Sequence, residues 1–189
     1  MKLYKVLNDN KSCSGGDFDW TDYLPADGKP GKWTPTKRSV KLCHKGYHGT
    51  DAAHVRHFIE GNQLWEVEAI DPIWDAGRIK FVCKSMRLTR QVDTWNDKTL
   101  RLFACWCVRQ IWGKLTDDRS KRVVEAAERF VNGDSTLEEL SAARTAAWGA
   151  GAAARGAGAA AWAVTWAAQT KKLVEMLGLE EFGGANENS

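Results

Sequence analysis

The sequence predicts an α+β protein with a small N-terminal antiparallel sheet, one or two short helices beside it, and an all-α helical C-terminal domain. Apolar and polar residues alternate in parts of the first half, such as Gln63–Ala69, and this period is typical of a half-buried strand. From Asp93 the apolar period becomes 3.6 residues, and no proline follows Pro72. We therefore expect an α+β domain at 1–91, a helical Ala/Trp-rich domain at 92–182 and a disordered tail at 183–189.

The first half contains four strand patterns. Strands are expected at Lys2–Leu7, Arg38–Cys43, Gln63–Ala69 and Gly77–Met86, the last continuing towards Leu88. The turn His44–Thr50 should lead into a short helix that Thr50 or Asp51 caps. Its inward side chains would be Val55, Phe58 and Ile59. Three prolines in the stretch 25–36 predict a loop before the second strand.

The second half contains three helical patterns. The first has an apolar face made of Leu100, Phe103, Ala104, Cys107, Ile111 and Leu115. The second begins at a cap provided by Asp117 or Asp118 and ends at Gly133. The third begins at Ser135, which with Glu138 has the Ser-x-x-Glu form of a capping box, and ends at Gly178.

The third helical pattern is too long for one straight helix in a small domain. It spans Ser135–Leu177, which would be about 60 Å at 1.5 Å per residue. Four glycines lie between Gly149 and Gly158, and each costs a helix about 1 kcal/mol relative to alanine. We therefore expect a break or kink there, giving two helices.

Cationic and aromatic residues share one face of this alanine-rich segment. Trp148, Arg155 and Trp162 recur every seven residues, and Arg144 lies four residues before the first of them. No acidic residue lies between Glu139 and Glu175. The pattern predicts a cleft in which Arg155, between two indoles, meets an anion. The alternative is that the tryptophans are core and the arginines extend to water.

A second candidate binding set lies in the predicted turn and short helix: Lys45, Tyr47, His48 and Arg56. A further basic stretch, 76–92, has five cations and no acid, although a solvated sheet face would show the same pattern. A net charge of +3 is low for a nucleic-acid-binding protein. We therefore expect no nucleic-acid partner.

Five cysteines without framework spacing and a strand-like start after Met1 predict free thiols, no signal peptide and a cytoplasmic location. A membrane span at Ala146–Ala168 is rejected because it would place Arg155 near the bilayer centre, at about 2.5–3.5 kcal/mol.

The helical half resembles a family of immunity proteins found in bacteria and phages. The residues that carry the resemblance are Leu100–Cys105 with Val108, Asp118-Arg119, Val124–Phe130 with Gly133, and the Ala/Trp/Arg run that ends in Gln169 and Leu173. The N-terminal half resembles a phage domain of unknown function through Tyr4-Lys5-Val6, Gly46-Tyr47-His48 and Trp65-Glu66-Val67. The resemblance implies a role in conflict between phages and bacterial defence or toxin systems.

Two enzymatic interpretations and a metal site have weaker patterns. Tyr47-His48-Gly49-Thr50 is similar to the His-Gly-Thr strand of ADP-ribosyltransferases, with Glu66 or Glu68 as the later glutamate. Cys43 with a histidine could form a nucleophilic pair, but no acidic orienting group follows. Cys43, His44, His48, His54 and His57 cluster without a second cysteine pair, so no metal ligand is predicted.

The function that these patterns favour is a non-enzymatic phage counter-defence protein that sequesters a small anionic, cyclic-nucleotide-like immune signal. No catalytic residue and no cofactor are expected. Small-residue helix faces favour a homo-oligomer. The alternatives are an immunity or inhibitor protein that binds a protein toxin or host effector, and an ADP-ribosyltransferase-like enzyme.

Overall fold

The structure is a computed structural model that describes residues 1–13, 16–115, 118–148 and 159–179; for 144–148 and 159–165 it describes the backbone alone. The chain divides into two compact units, one containing Met1–Asn96 with the chain from Val174 onward, the other Asp97–Leu173. An N-terminal antiparallel sheet and helices that lie mostly in the second half confirm the predicted α+β class. The second half is not purely helical, because turns and a 3₁₀ turn separate its helices.

The first unit is built on an antiparallel sheet. Its described strands are β1 Leu3–Asn8, β2 Lys11–Ser12, β3 Tyr47–Asp51, β4 Gln63–Ile70, β5 Ile73–Trp74, β6 Phe81–Cys83 and β7 Ser85–Gln91. Six of them follow the order β5-β6-β3-β1-β4-β7, and β2 pairs with β1. Two 3₁₀ turns, Thr21–Tyr23 and Val55–Phe58, complete the unit.

The sheet curls until it closes on itself. In the pairing order three strands lie between β6 and β7, yet only Lys84 separates the two along the chain. One kinked stretch therefore pairs with β3 at its start and with β4 at its end. The predicted single strand Gly77–Met86 is wrong for this reason: the chain kinks at Lys84, and the residues before and after the kink pair with different strands.

The core of the first unit lies inside this curled sheet. Its buried residues are Leu7, Trp20, Tyr47, Trp65, Val67, Phe81, Cys83, Met86 and Leu88. The proline-rich loop covers the second edge of β7, where the N–H groups of Gly31 and Thr34 donate to Leu88 and Met86 at 2.8 and 2.9 Å. The loop thus pairs the edge of β7 without forming a regular strand.

The predicted strand at Arg38–Cys43 is wrong, and the strand lies at Tyr47–Asp51, where a turn into a helix was expected. Cys43 has a left-handed backbone with φ +62°, which a strand cannot continue through. Lys41 donates its N–H to the Lys45 carbonyl at 2.7 Å, so 41–45 forms a tight turn. The predicted cap at Thr50 or Asp51 is wrong, because both residues belong to β3 and His54 is the N-cap of the 3₁₀ turn; Asp51 Oδ1 accepts the His54 N–H at 3.1 Å, three residues on. Ile59, expected inside, is 48% exposed.

Four helices follow: α1 Asp97–Arg109, α2 Asp118–Asn132, α3 Leu137–Trp148 and α4 Ala159–Leu177. The core of the second unit contains Cys105, Val124, Ala126, Ala127 and Leu140. Of the predicted apolar face, Phe103 is buried as expected, whereas Ala104 and Ile111 are exposed and Cys105 is buried instead. Gly133 and Gly178, with φ +85° and +62°, end α2 and α4 as predicted. The predicted break at 149–158 and the tail at 183–189 lie outside the described residues.

The capping box of α3 lies one residue beyond the predicted position. Thr136 Oγ1 accepts the Glu139 N–H, and Glu139 Oε2 accepts the Thr136 N–H, both at 3.2 Å. Thr136→Ala should therefore lower the free energy of unfolding by about 1 kcal/mol. Ser135→Ala is the matched control and should cost less. Urea denaturation followed by far-UV circular dichroism tests this; a larger loss for Ser135→Ala would restore the sequence-based cap.

Candidate functional site

The first unit contains a cavity of about 410 Å³, a volume within the range typical of small-molecule sites. It opens where β1 and β3 part. Their ladder pairs Leu3 with Asp51 and Tyr4 with Thr50 and then stops, although both strands continue. Its walls include residues of β1 and β3, Cys13 and 16–18 after β2, and 43–46 before β3.

Positive groups dominate the lining of this cavity. Among the described residues it contains four lysines and two histidines, Lys5, Lys37, Lys45, Lys80, His44 and His48, against one carboxylate, Asp17. We call it the lysine cavity. Such an excess of one sign on a concave surface attracts ligands of the opposite sign.

Lys5 lies deepest among these cations. The residue is only 7% exposed, and its Nζ donates a hydrogen bond of 2.9 Å to the His48 carbonyl across the gap between β1 and β3. The ammonium also lies 5.3 Å from the centroid of the Trp20 ring. Burial lowers the pKa of Lys5 from 10.5 to about 8. Within the described residues Lys5 has no carboxylate partner, so a ligand could supply the missing acceptor.

A hydrogen bond joins the His48 ring to the turn beside the cavity. The Nε2 of His48 accepts the Cys43 N–H at 3.0 Å, so the neutral ring carries its proton on Nδ1. Burial, followed by the positive charges of Lys5 and Lys80, lowers the pKa of His48. The histidine therefore stays neutral at physiological pH, and the cavity's charge comes from its lysines.

Aromatic rings line the same cavity as the lysines. Phe18 and Tyr47 meet edge to face with centroids 5.1 Å apart, and Lys37 Nζ lies 5.5 Å from the Tyr47 ring centroid. The Tyr47 hydroxyl donates to the Pro35 carbonyl at 3.0 Å, which fixes the ring. The lining thus combines rigid rings with cations, a combination that suits planar anionic ligands.

Two glycines let β3 approach its neighbours closely. A Cβ on Gly49 would lie 2.5 Å from Phe81 Cζ and 2.7 Å from the Tyr4 carbonyl oxygen. A Cβ on Gly46 would lie 2.6 Å from Val82 Cγ2, and its φ of +123° also favours glycine. The motif Gly46-Tyr47-His48-Gly49 is therefore explained by packing, and the packing positions Tyr47 and His48 on the cavity wall.

The structure brings together three of the predicted binding residues and not the others. Lys45, Tyr47 and His48 line the lysine cavity. Arg56 lies in the 3₁₀ turn Val55–Phe58 and is not part of the lining. Arg155 lies outside the described residues, and Arg144, Trp148 and Trp162 are described by backbone alone, in α3 and α4. The predicted helical cleft stays a prediction.

Sequence reasoning missed Lys5, Lys37 and Lys80 as cavity residues. The available signal was Lys5 itself, a single lysine in the apolar run Leu3-Tyr4-Lys5-Val6-Leu7. Tyr4 to Leu7 are all buried, because both faces of β1 are covered. A lysine at such a position must either pair or face a cavity.

The glutamates of the ADP-ribosyltransferase alternative lie away from the lysine cavity. Among the described residues that line it there is neither Glu66 nor Glu68. Arg90 and Lys2 bind Glu66, and Arg87 binds Glu68, which accounts for part of the basic stretch 76–92. Burial raises the pKa of Glu66, but hydrogen bonds from Arg90 and Lys2 outweigh it and the pKa is lowered.

The histidine cluster is dispersed in the fold. His44 and His48 line the cavity, while His54 bonds the buried Asp51 at 2.7 Å. Across the ranges that the structure describes, no three histidine, cysteine or acidic residues are grouped for a metal ion. The five cysteines are free thiols. None of the helices, as far as they are described, has the length and apolar character to cross a bilayer.

Comparison with known proteins gives a family match for the first half of the chain. A family model described as Domain of unknown function (DUF7666) matches residues 1–98, the part of the chain that contains the lysine cavity. No curated protein and no solved structure matches the chain. The predicted resemblance of the N-terminal half to a domain of unknown function is confirmed, and the resemblance of the helical half to immunity proteins stays a prediction.

Proposed function

This chain belongs to the DUF7666 family of domains of unknown function, and we propose that it is a non-enzymatic protein that binds a small anionic ligand of the nucleotide type in its lysine cavity. The single observation that carries the proposal is the charge of the lining, which in the described part of the chain has four lysines against one carboxylate. A concave site that brings like charges together costs free energy unless an opposite charge enters it.

Each part of the cavity suits a part of such a ligand. Lys37, Lys45 and Lys80 are less buried than Lys5 and can donate to phosphate oxygens, which take lysine as a point charge. The rings of Phe18, Tyr47 and Phe58 offer apolar surface for a base. The phosphate end would therefore lie among the lysines, with the base against the rings.

The biological setting in this proposal comes from the resemblances of the sequence. The immunity-protein resemblance of residues 100–173 favours a phage counter-defence role, in which the cytoplasmic protein sequesters a cyclic-nucleotide-like signal. A homo-oligomer belongs to the same proposal. The alternative, inhibition of a protein toxin or host effector, depends on a helical face that includes residues outside the described part.

A thermal-shift panel tests the proposed function. The panel contains cyclic di- and trinucleotides, ADP-ribose and nucleoside monophosphates. At least one of these anions should raise the melting temperature of the protein, because a ligand that binds the folded state stabilises it. The matching uncharged nucleosides should give a smaller shift. If no anion shifts the melting temperature, the proposal fails, and a co-purifying host protein would then favour the inhibitor alternative.

Substitution of a cavity lysine tests where the ligand binds. Lys80→Gln should weaken binding of the best anion at least tenfold, because it removes one charge from the lining. Lys41→Gln is the matched control, since Lys41 is exposed on the adjacent turn and does not line the cavity. Equal affinity of the two variants, measured by calorimetric titration, would place the ligand elsewhere.

A further inference from the structure

We propose that the Lys5 amine captures its ligand covalently, by forming an imine with an aldehyde or ketone carbonyl of an anionic molecule held in the lysine cavity. This inference rests on the proposed function, which it extends by naming the reactive group of the ligand. The feature that carries it is a buried amine in the lining of a cavity whose other lysines are more exposed.

Lys5 is a buried residue of the cavity lining. The side chain lines the cavity while the residue is 93% buried, and one hydrogen bond, to the His48 carbonyl, holds the nitrogen. The Trp20 ring, 5.3 Å from Nζ, covers one side. Within the described residues no carboxylate neutralises the ammonium, unlike Arg87 and Arg90, which each bind a glutamate. A structural lysine would normally have such a partner.

The same burial makes the amine a nucleophile at neutral pH. With a pKa of about 8, about a tenth of Lys5 is uncharged near pH 7, whereas an ordinary lysine has less than about a thousandth in that form. Three further lysines, Lys37, Lys45 and Lys80, line the same cavity and can attract the anion, so binding does not depend on Lys5 alone.

The reaction is balanced by the groups at hand. The Lys5 nitrogen lone pair attacks the carbonyl carbon, and a proton moves from nitrogen to oxygen to give a carbinolamine. Loss of water then forms the C=N bond, so one amine and one carbonyl give one imine and one water. Water can transfer these protons, as it does when an imine forms in solution. The bond is reversible by hydrolysis, which suits capture of a signal without turnover.

Pyridoxal 5′-phosphate is a suitable probe because it is an anionic aromatic aldehyde. The full chain is incubated with it at neutral pH, the imine is reduced with sodium borohydride, and labelled lysines are located by peptide mass spectrometry. We expect Lys5 to be labelled at least tenfold faster than Lys41, an exposed lysine on the nearby turn. The best anion of the thermal-shift panel should slow labelling of Lys5 and leave Lys41 unchanged.

Two further measurements separate this inference from the proposed function. Lys5→Arg cannot form the imine, so it should lose the fast-labelled fraction while Lys41 is labelled as in the wild-type protein. If Lys5 is labelled no faster than Lys41 while panel anions bind, the imine is overturned and the anion site stands. If uncharged pyridoxal labels Lys5 as fast as its phosphate and Lys80→Gln changes neither rate, the nucleophile stands and the anion site is overturned.

Discussion

Replacing Gly49 by alanine should lower the free energy of unfolding of the first unit by about 3 kcal/mol, the upper end of the range for overpacking. The added Cβ would lie 2.5 Å from Phe81 Cζ and 2.7 Å from the Tyr4 carbonyl oxygen. Phe81 is fully buried and Tyr4 belongs to the ladder between β1 and β3, so neither can move away cheaply. Chemical denaturation of the purified chain measures the loss.

Gly77→Ala is the matched control in the same unit. A Cβ there would meet only Ile79, at an ordinary 3.6 Å, and the stability should change by less than about 0.5 kcal/mol. If Gly49→Ala is as stable as this control, β3 does not pack against Phe81 as described. The position of Tyr47 and His48 on the cavity wall would then lose its support.

The second large effect concerns Lys5 and pH. Compared with Lys5→Met, the wild-type protein should gain roughly 3 kcal/mol of unfolding free energy as the pH rises from 7 to above 10. The folded pKa of about 8 lies below the unfolded value of 10.5, so between these values the unfolded chain binds the extra proton. The contribution of Lys5 to the free energy of unfolding therefore increases with pH. This holds whatever pH-independent difference in stability separates the wild-type protein from Lys5→Met.

Urea denaturation of both proteins at several pH values measures this difference. The comparison with Lys5→Met is needed because burial also raises the pKa of Cys83, to about 12, which lowers stability above pH 9 in both proteins. Lys29→Met, which removes an exposed lysine, controls for the loss of one charge. A pH-independent difference between wild type and Lys5→Met would mean that Lys5 is solvated when folded.

The part of the fold that follows local patterns could be predicted. The strands predicted at Lys2–Leu7 and Gln63–Ala69 agree with β1 and β4 to within one residue at each end, because one face of each is apolar. The predicted strand at Arg38–Cys43 failed because its apolar run is interrupted by a left-handed residue, Cys43, that no short pattern reveals. The β6–β7 kink at Lys84 depends on two partners distant in sequence, so alternation alone could not locate it.

The first residue of α3 could also be predicted only to within one position. Ser135 with Glu138 and Thr136 with Glu139 both have the form of a capping box, and only the second pair forms the hydrogen bonds. The choice depends on where the turn after Gly133 directs the chain. Sequence therefore predicted the kind of cap and not its residue.

The sequence predicted the residues of the candidate site that lie in and beside the turn, but not the three lysines that come from other parts of the chain. Lys45, Tyr47 and His48 could be identified because they lie within four residues of each other. Lys5, Lys37 and Lys80 are far apart in sequence and meet only when β1, the proline-rich loop and β6 come together. A buried lysine becomes recognisable once the covered faces of β1 are known.

An NMR titration of Lys5 tests most directly the claim that a buried lysine in the cavity binds an anion. The protein is labelled with ¹³C-lysine, and the Lys5→Met spectrum assigns the Cε signal. The account predicts a midpoint near pH 8 for the free protein, which rises when a panel anion is added because a nearby negative charge favours the ammonium. A midpoint near 10.5 in the free protein, or one near 8 that no anion moves, would contradict it.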